Sequence, residues 1–352
     1  MPVRILVLSD THLGVDQPAR PRIERPRHGD RFFASFEQAI APAIAGELDV
    51  VVHLGDLFYR SRISATLATR VFARLGDLAD TGVDLFWVPG NHERSAVPRS
   101  LLLTHPRIRV FDRPRTFVVE RDGLAIALAG FPFSPAARLE LPALLAATGY
   151  RNVRAGARLL CLHQAVEGAT VGPSDFVFRD GAEVVRCQDL REHAAGFAAV
   201  LCGHVHRAQV LTRDLAGHRL PMPVIFPGST ERTSSAERDE PKGCVGLEIG
   251  RGAPDGDDGL ATVAWSFREL PARPMVALDV DPRIGGPALA DHLRSSFAAL
   301  TLQSVVRIRL TAAPAGDAVA VLRAASLRSL APEGMEVTVA WGRWVRPSRR
   351  GE

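Results

Sequence analysis

Short apolar runs that stop abruptly at a polar residue of one narrow kind are the first regularity in this chain. Residues 3–9 run into Asp10-Thr-His12, and residues 49–54 into Gly55-Asp56. Residues 83–89 run into Gly90-Asn91-His92-Glu93, residues 158–162 into His163, and residues 197–202 into Gly203-His204-Val205-His206. Runs this short and this rich in Val, Ile and Leu read as strands buried on both faces. Open α/β sheets carry their chemistry at the carboxyl ends of such strands. Five strands that each deliver Asp, Asn or His at the same end therefore predict a metal site assembled by the fold from distant parts of the chain.

Between the first three runs the apolar period becomes helical. Phe32, Phe33, Phe36, Ile40 and Ile44 share one helix face, as do Leu67, Val71, Phe72, Leu75, Leu78 and Ala79 after the N-cap candidate Ser64. Strand, helix, strand, helix, strand in this order calls for parallel pairing. Further along, 108–111, 116–120 and 124–129 read as strands with a turn at 121–123, followed by a helix over 135–148. A short helix over 189–193 lies between the strands that end at His163 and His204. Residues 208–213, 223–226, 243–249 and 261–270 read as antiparallel strands. The fold class is thus α/β with α+β character: a two-layer β core flanked by helices.

Pro271-Ala-Arg-Pro274 marks a boundary. After it come strand 275–280, helix 287–300, strand 304–310, helix 317–330 and strand 335–340, a small α/β unit with no catalytic cluster of its own. The expected domains are 1–272, 273–346 and a disordered tail, 347–352. Residues 15–29, rich in Pro and Arg, have no periodicity and read as a loop that is solvated or touches a phosphate backbone.

Composition narrows this picture only modestly. The 352 residues, 46% hydrophobic and 23% charged, are ordinary for a soluble globular protein. No apolar run approaches bilayer length, and the N-terminus enters a strand without a signal pattern, so a cytoplasmic protein with no membrane association is expected. Cys161, Cys187, Cys202 and Cys244 have no paired spacing, which argues against a thiolate metal site or a disulfide framework. A net charge of +4 and a pI near 9.2 suit a polyanionic partner. The bias is carried almost wholly by Arg, Lys242 being the only Lys, so charge alone decides nothing.

Oxygen and imidazole donors of this kind suit two hard or borderline divalent cations. Asp10, His12 and His206 are assigned to one, Asn91, His163 and His204 to the other, with Asp56 between them. Two cations about 3.5–4 Å apart would deprotonate a bridging water for in-line attack on phosphorus. His92, next to Asn91, is placed as the residue that donates a hydrogen bond or proton to the phosphate or leaving oxygen. Tyr59, Arg60 and Arg62 border the same cleft as candidate substrate contacts. His53 reads as a core residue supporting the ligands, and Glu93 as a buttress of its loop. His28, His105, His193, His218 and His292 read as surface residues.

These motifs resemble the calcineurin-like metallophosphoesterases over roughly residues 1–270. Leu8-Ser-Asp-Thr-His-Leu-Gly14, Gly55-Asp-Leu-Phe58, Leu162-His-Gln164 and Pro227-Gly-Ser-Thr-Glu-Arg232 with Lys242-Gly243 narrow the resemblance to the nuclease-subunit family of the SbcCD complex and its archaeal and eukaryotic counterparts. The resemblance implies manganese-dependent hydrolysis of DNA phosphodiesters, as 3′→5′ exonuclease and single-strand endonuclease in DNA repair. It implies that the unit after 273 caps DNA and that an SbcC-type ATPase is a partner; a homodimer is a further expectation. Two departures bear on this. Where the family commonly has a second His, three residues after the bridging Asp, this chain has Tyr59, which disfavours duplex exonuclease activity. No further amphipathic helices follow the small unit, which argues against stable assembly with such an ATPase. The alternatives are a metallophosphoesterase for a small diester, such as a cyclic nucleotide, and a non-catalytic DNA-binding scaffold.

Overall fold

Strands that are apolar on both faces need cover on both sides, and the fold supplies it. The computed structural model describes residues 1–15, 28–93, 105–250, 261–314 and 316–341. They fall into two compact units: 1–15, 28–231, 239–250 and 261–272 in the first, and 232–238, 273–314 and 316–341 in the second.

The first unit runs β1 (Val3–Leu8), α1 (His28–Ile44), β2 (Val50–His53), α2 (Ala65–Asp80), β3 (Asp84–Trp87), β4 (Ile108–Val110), β5 (Arg115–Arg121) and β6 (Leu124–Gly130). It continues with α3 (Ala137–Ala147), β7 (Ala157–His163), β8 (Thr170–Val171), β9 (Phe176–Val177), α4 (Cys187–His193), β10 (Ala199–Gly203), β11 (Gln209–Arg213), β12 (Arg219–Phe226), β13 (Lys242–Gly250) and β14 (Thr262–Leu270). One six-stranded sheet has the order β14-β13-β1-β2-β3-β4, the other β11-β12-β10-β7-β6-β5. β1 to β4 are mutually parallel, and so are β6, β7, β10 and β12; the outer strands β13, β14, β5 and β11 run antiparallel to their neighbours.

Alternation along each strand divides its side chains between two cores. Ile5, Val7, Val52 and Phe86 of the first sheet meet Ile126, Leu128, Leu159, Cys161 and Leu201 of the second. Leu6, Leu8, Val51 and Leu85 point the other way, onto Phe32, Phe36, Val71 and Leu75 of α1 and α2. On the outer face of the second sheet, Leu160, Leu162 and Cys202 pack on Leu141, Leu145 and Leu190 of α3 and α4. Each fully buried Leu, Ile, Val or Phe contributes about 1.5–3 kcal/mol. The strands that carry the candidate ligands are therefore rigid supports. Ser64 caps α2, its Oγ accepting from Leu67 N at 3.2 Å.

The second unit is a parallel sheet in the order β15 (Met275–Val280), β16 (Val305–Leu310), β17 (Glu336–Ala340), with α5 (Gly286–Ala298), α6 (Asp317–Val321) and α7 (Ala324–Leu330). Leu289, Leu293, Phe297, Val306 and Ile308 form its core.

Three expectations are corrected. The helix expected over 317–330 is two helices, broken at the extended Arg323 (φ −68°, ψ 146°). Leu322 and Leu327 are both buried in the same core. Five residues apart on one helix they would diverge by about 140°, and the break brings both inward. The strand expected over 223–226 starts at Arg219 and is parallel to β10, antiparallel only to β11. Pro221 and Pro223 lack a ladder N–H, and the β11–β12 register shifts between Leu211 and Arg213, which accommodates them. The β8–β9 hairpin falls in a stretch read as loop.

The expected loop 15–29 is outside the described residues over 16–27, as are residues 342–352, including the tail. Among the described residues, no helix is long and apolar enough to cross a membrane, and all four cysteines are buried and free.

Candidate metal centre

At the carboxyl ends of β1, β2 and β10 the chain adopts a backbone that side chains rarely tolerate. Asp10, His12, Asp56 and His204 have φ of 51°, 45°, 51° and 81°, each costing on the order of 1–3 kcal/mol. Hydrogen bonds hold the conformation. Asp10 N donates to Gly55 O at 2.9 Å, His12 N to Asp56 O at 3.0 Å, and His204 N to Asp10 Oδ2 at 3.0 Å. Two glycines make the close approach of these loops possible. A Cβ on Gly55 would overlap His163 Nδ1, and one on Gly90 would overlap the Asp56 carboxylate. The Gly before Asp56 and the Gly before Asn91 are thus steric requirements.

Two buried side chains fasten the loops to each other. The Glu93 carboxylate accepts from Gly90 N at 2.7 Å, Asp56 N at 3.0 Å and Phe58 N at 2.9 Å, tying the Asn91-His92 loop to the Asp56 loop. Burial, then the charge of Asp56, push its pKa up to about 8. His53 links the Asp56 loop to the Asp10 loop. Its Nδ1 accepts from Gly55 N at 3.2 Å, which leaves the proton on Nε2, directed at Thr11 Oγ1 at 3.0 Å. The Thr11 hydroxyl passes its own hydrogen to Leu57 O at 3.1 Å. Burial drives the His53 pKa down to about 3, so the ring is a neutral relay.

The donor atoms converge in two groups. In one, His12 Nε2 lies 3.0 Å from His206 Nε2, and Asp10 Oδ1 is 3.9 Å and 3.6 Å from them. Asp10 Oδ1 is buried without a hydrogen-bond partner. In the other, Asn91 Oδ1 is 3.0 Å from both His163 Nε2 and His204 Nδ1. His163 Nδ1 donates to Leu54 O at 2.6 Å, which leaves Nε2 as the ring atom that faces the Asn91 oxygen. Asp56 stands beside the second group, Oδ1 3.4 Å from His163 Nε2, and it shares donor clusters with His12 and with Asp10. Imidazole nitrogens and amide and carboxylate oxygens converging at this range, with a buried carboxylate oxygen unpaired, are a donor set that divalent cations satisfy. The residues fit two such ions.

Protonation agrees with this at His12 and His204. Burial, then the charge of His206, hold His12 well below the usual imidazole range. Burial, then His163, bring His204 down to about 3. Both rings therefore offer lone pairs at neutral pH. For His163, burial opposes the charge, but Asp56 and Asp10 outweigh it and raise the pKa to about 9, so a cation at Nε2 would take the place of a proton. Burial raises Asp10; at Asp56, burial is overcome by His163, His12 and His92, which hold it below the usual carboxylate range.

Asp10, His12, Asp56, Asn91, His163, His204 and His206 thus lie together. His92 lies with them: its N–H donates to Asp56 Oδ1 at 3.0 Å, its Nδ1 to Tyr59 O at 2.5 Å, and its Nε2 is 3.7 Å from Asp56 Oδ2. The Tyr59 ring stands 5.9 Å from both the His12 and the His92 rings, with the Arg60 guanidinium 5.5 Å over its centroid. Arg60 and Arg62 are exposed on the loop that follows. His105 and His218 lie elsewhere, near Asp80 and Asp214, and His193 and His292 are not in the cluster; the His28 side chain is outside the described residues. Sequence reading missed Thr11, whose place between two ligands was its only signal.

Comparison with known proteins adds a family and relatives. The sequence model for the calcineurin-like phosphoesterases matches residues 3–208. The chain is 28% identical over 310 residues to the DNA double-strand break repair protein Mre11 of Haloferax volcanii, covering 87% of this chain and 60% of that protein. It is 25% identical over 217 residues to Mre11 of Saccharolobus solfataricus, covering 60% and 51%, and 24% identical over 301 residues to Mre11 of Aeropyrum pernix, covering 80% and 64%. The chain therefore spans between half and two-thirds of the length of these relatives.

Proposed function

This chain belongs to the calcineurin-like phosphoesterases, and on that basis we propose that it is a two-metal phosphodiesterase that cleaves DNA in break repair. The observation that carries the reading is the pair of donor groups beside the Asp56 carboxylate, with His92 on the open side of the cluster. The similarity to Mre11 proteins, named for DNA double-strand break repair, supports DNA as the substrate.

Asp10, His12 and His206 would hold one ion, Asn91, His163 and His204 the other, with Asp56 between them. Two divalent cations, Mn²⁺ in this proposal, supply positive charge for the phosphate oxygens and acidify water at neutral pH. The protein's own groups do the rest. Tyr59 O keeps Nδ1 of His92 protonated, so Nε2 is the atom that gives or takes a proton at the leaving oxygen. Glu93 holds the Asp56 and Asn91 loops at fixed separation without touching substrate, and Tyr59 forms a wall beside His12 and His92. The unit after 273 is proposed to cap DNA, and an SbcC-type ATPase is the partner proposed with it.

Purified protein with Mn²⁺ is to be tested on end-labelled single- and double-stranded DNA, resolved on denaturing gels, beside a chromogenic phosphodiester. Cleavage of DNA is expected, faster on single strands. Hydrolysis of the chromogenic diester alone would move the assignment to a small substrate. Failure on both would overturn it.

A further inference from the structure

The sequence contains 43 Lys and Arg residues, and only one of them is Lys. That one, Lys242, opens β13 and is buried, with a side-chain exposure of 0%. Burying an ammonium costs several kcal/mol unless it is paired and hydrogen-bonded. Here Nζ donates to the carbonyl of His206 at 2.9 Å and lies 3.2 Å from Glu240 Oε2. The same carbonyl accepts from Ser229 N at 3.1 Å, so both of its lone pairs are used. The second carboxylate oxygen of Glu240 takes Arg207 Nε at 3.1 Å. Arg207, the next residue after His206, extends its guanidinium to Thr170 Oγ1 at 3.1 Å, Gly172 O at 2.6 Å and Asp175 Oδ1 at 2.5 Å on the β8–β9 hairpin.

We propose that Lys242 is a positioning residue that clamps the His206 carbonyl and, through Glu240, the Arg207 side chain, and so sets the His206 imidazole for the cation it shares with Asp10 and His12. The proposal rests on reading that cluster as a cation site. Its logic is mechanical. The ligand segment 203–206 is pinned at its start by the bond from His204 N to Asp10 Oδ2, and in its middle by Val205, which is buried. Without Lys242 its end would lose one of the bonds that hold it, and His206, whose side chain is one-quarter exposed, would be less closely fixed. An ammonium is a compact point charge that can meet a carbonyl and a carboxylate oxygen together, whereas a guanidinium presents five donors in a planar fork. That accounts for Lys in a chain that otherwise uses Arg throughout.

The test compares wild type with Lys242→Met and Glu240→Gln, both full length, by Mn²⁺ titration with EPR, bound metal per chain and thermal melting without metal. Wild type is expected to take two ions and show an exchange-coupled pair. Lys242→Met is expected to keep one ion tightly and bind the second about 10–100-fold more weakly, giving the signal of isolated Mn²⁺; Glu240→Gln shifts the same way by less. A coupled pair at wild-type affinity in Lys242→Met overturns the proposal. So does loss of both ions together in both variants, which would make Lys242 a general support of the fold. Should Lys242→Met fail to fold, Glu240→Gln decides by the same criteria. Wild type that binds fewer than two ions would instead refute the metal centre itself.

Discussion

The first sheet carries buried carboxylates at both ends, and they live in opposite surroundings. Asp84 opens β3 at the amino end and is ringed by arginines: Arg109 Nη1 at 2.9 Å, Arg107 Nη1 at 3.6 Å, and Arg121 in a closer pairing. Asp10 and Asp56, at the carboxyl ends of β1 and β2, have no Arg or Lys paired with them among the described residues; imidazoles, backbone N–H groups and one unsatisfied oxygen face them instead. The chain is rich in Arg and could have neutralised both ends. It neutralises only the one without chemistry. A buried negative cluster surrounded by lone pairs is unstable alone, and a divalent cation is what completes it.

The sharpest way to break this contrast is to exchange the two carboxylates' fates. Asp56→Ala should lose the shared ligand, retain at most one cation by metal analysis, and reduce diester hydrolysis to background. Asp84→Asn should leave two bound cations and near-normal hydrolysis. It should lower stability in urea by about 1–3 kcal/mol, below the value for a fully buried pair because the arginines are about a third exposed. Loss of metal in Asp84→Asn, or full activity in Asp56→Ala, would remove the distinction.

Smaller effects refine it. His92→Ala should bind both cations yet turn over about 10²–10⁴-fold more slowly; a missing cation would make His92 a ligand instead, a role its distance to Asp56 allows. Glu93→Gln should cost about 1–3 kcal/mol, measured by denaturation, because its NH₂ would face a backbone N–H that now points at a carboxylate oxygen. Metal affinity should weaken with it, since the amide can no longer hold both loops. The smallest change expected is at Tyr59. Tyr59→His should raise duplex cleavage relative to single-strand cleavage a few-fold on the labelled-DNA gel, with metal content unchanged. An unaltered ratio would mean the phenol only packs beside His12 and His92.

The cluster of candidate donors was largely legible in the sequence because each member is a local event: an apolar run, a stop and a donor at the stop. Gly55 and Gly90 belonged to that signal, for reasons of space that only the structure shows. What the sequence withheld depends on parts of the chain far apart. The convergence of Lys242 on the His206 carbonyl joins β13 to a loop more than thirty residues earlier, and no periodicity encodes it. The break between α6 and α7 carries no Gly or Pro and arises from the demand that Leu322 and Leu327 share one core. The parallel pairing of β12 depends on its place beside β10, a distant strand that its own alternation does not identify.

The contrast between the two ends of the sheet reduces to whether two cations occupy the carboxyl end. Anomalous diffraction at the manganese absorption edge, from crystals grown with Mn²⁺, answers this directly. Two peaks are expected, one among Asp10, His12 and His206, the other among Asn91, His163 and His204, with the Asp56 carboxylate between them. A single peak, or none in this cluster, would contradict the assignment of Asp56 as a shared ligand and with it the two-metal reading.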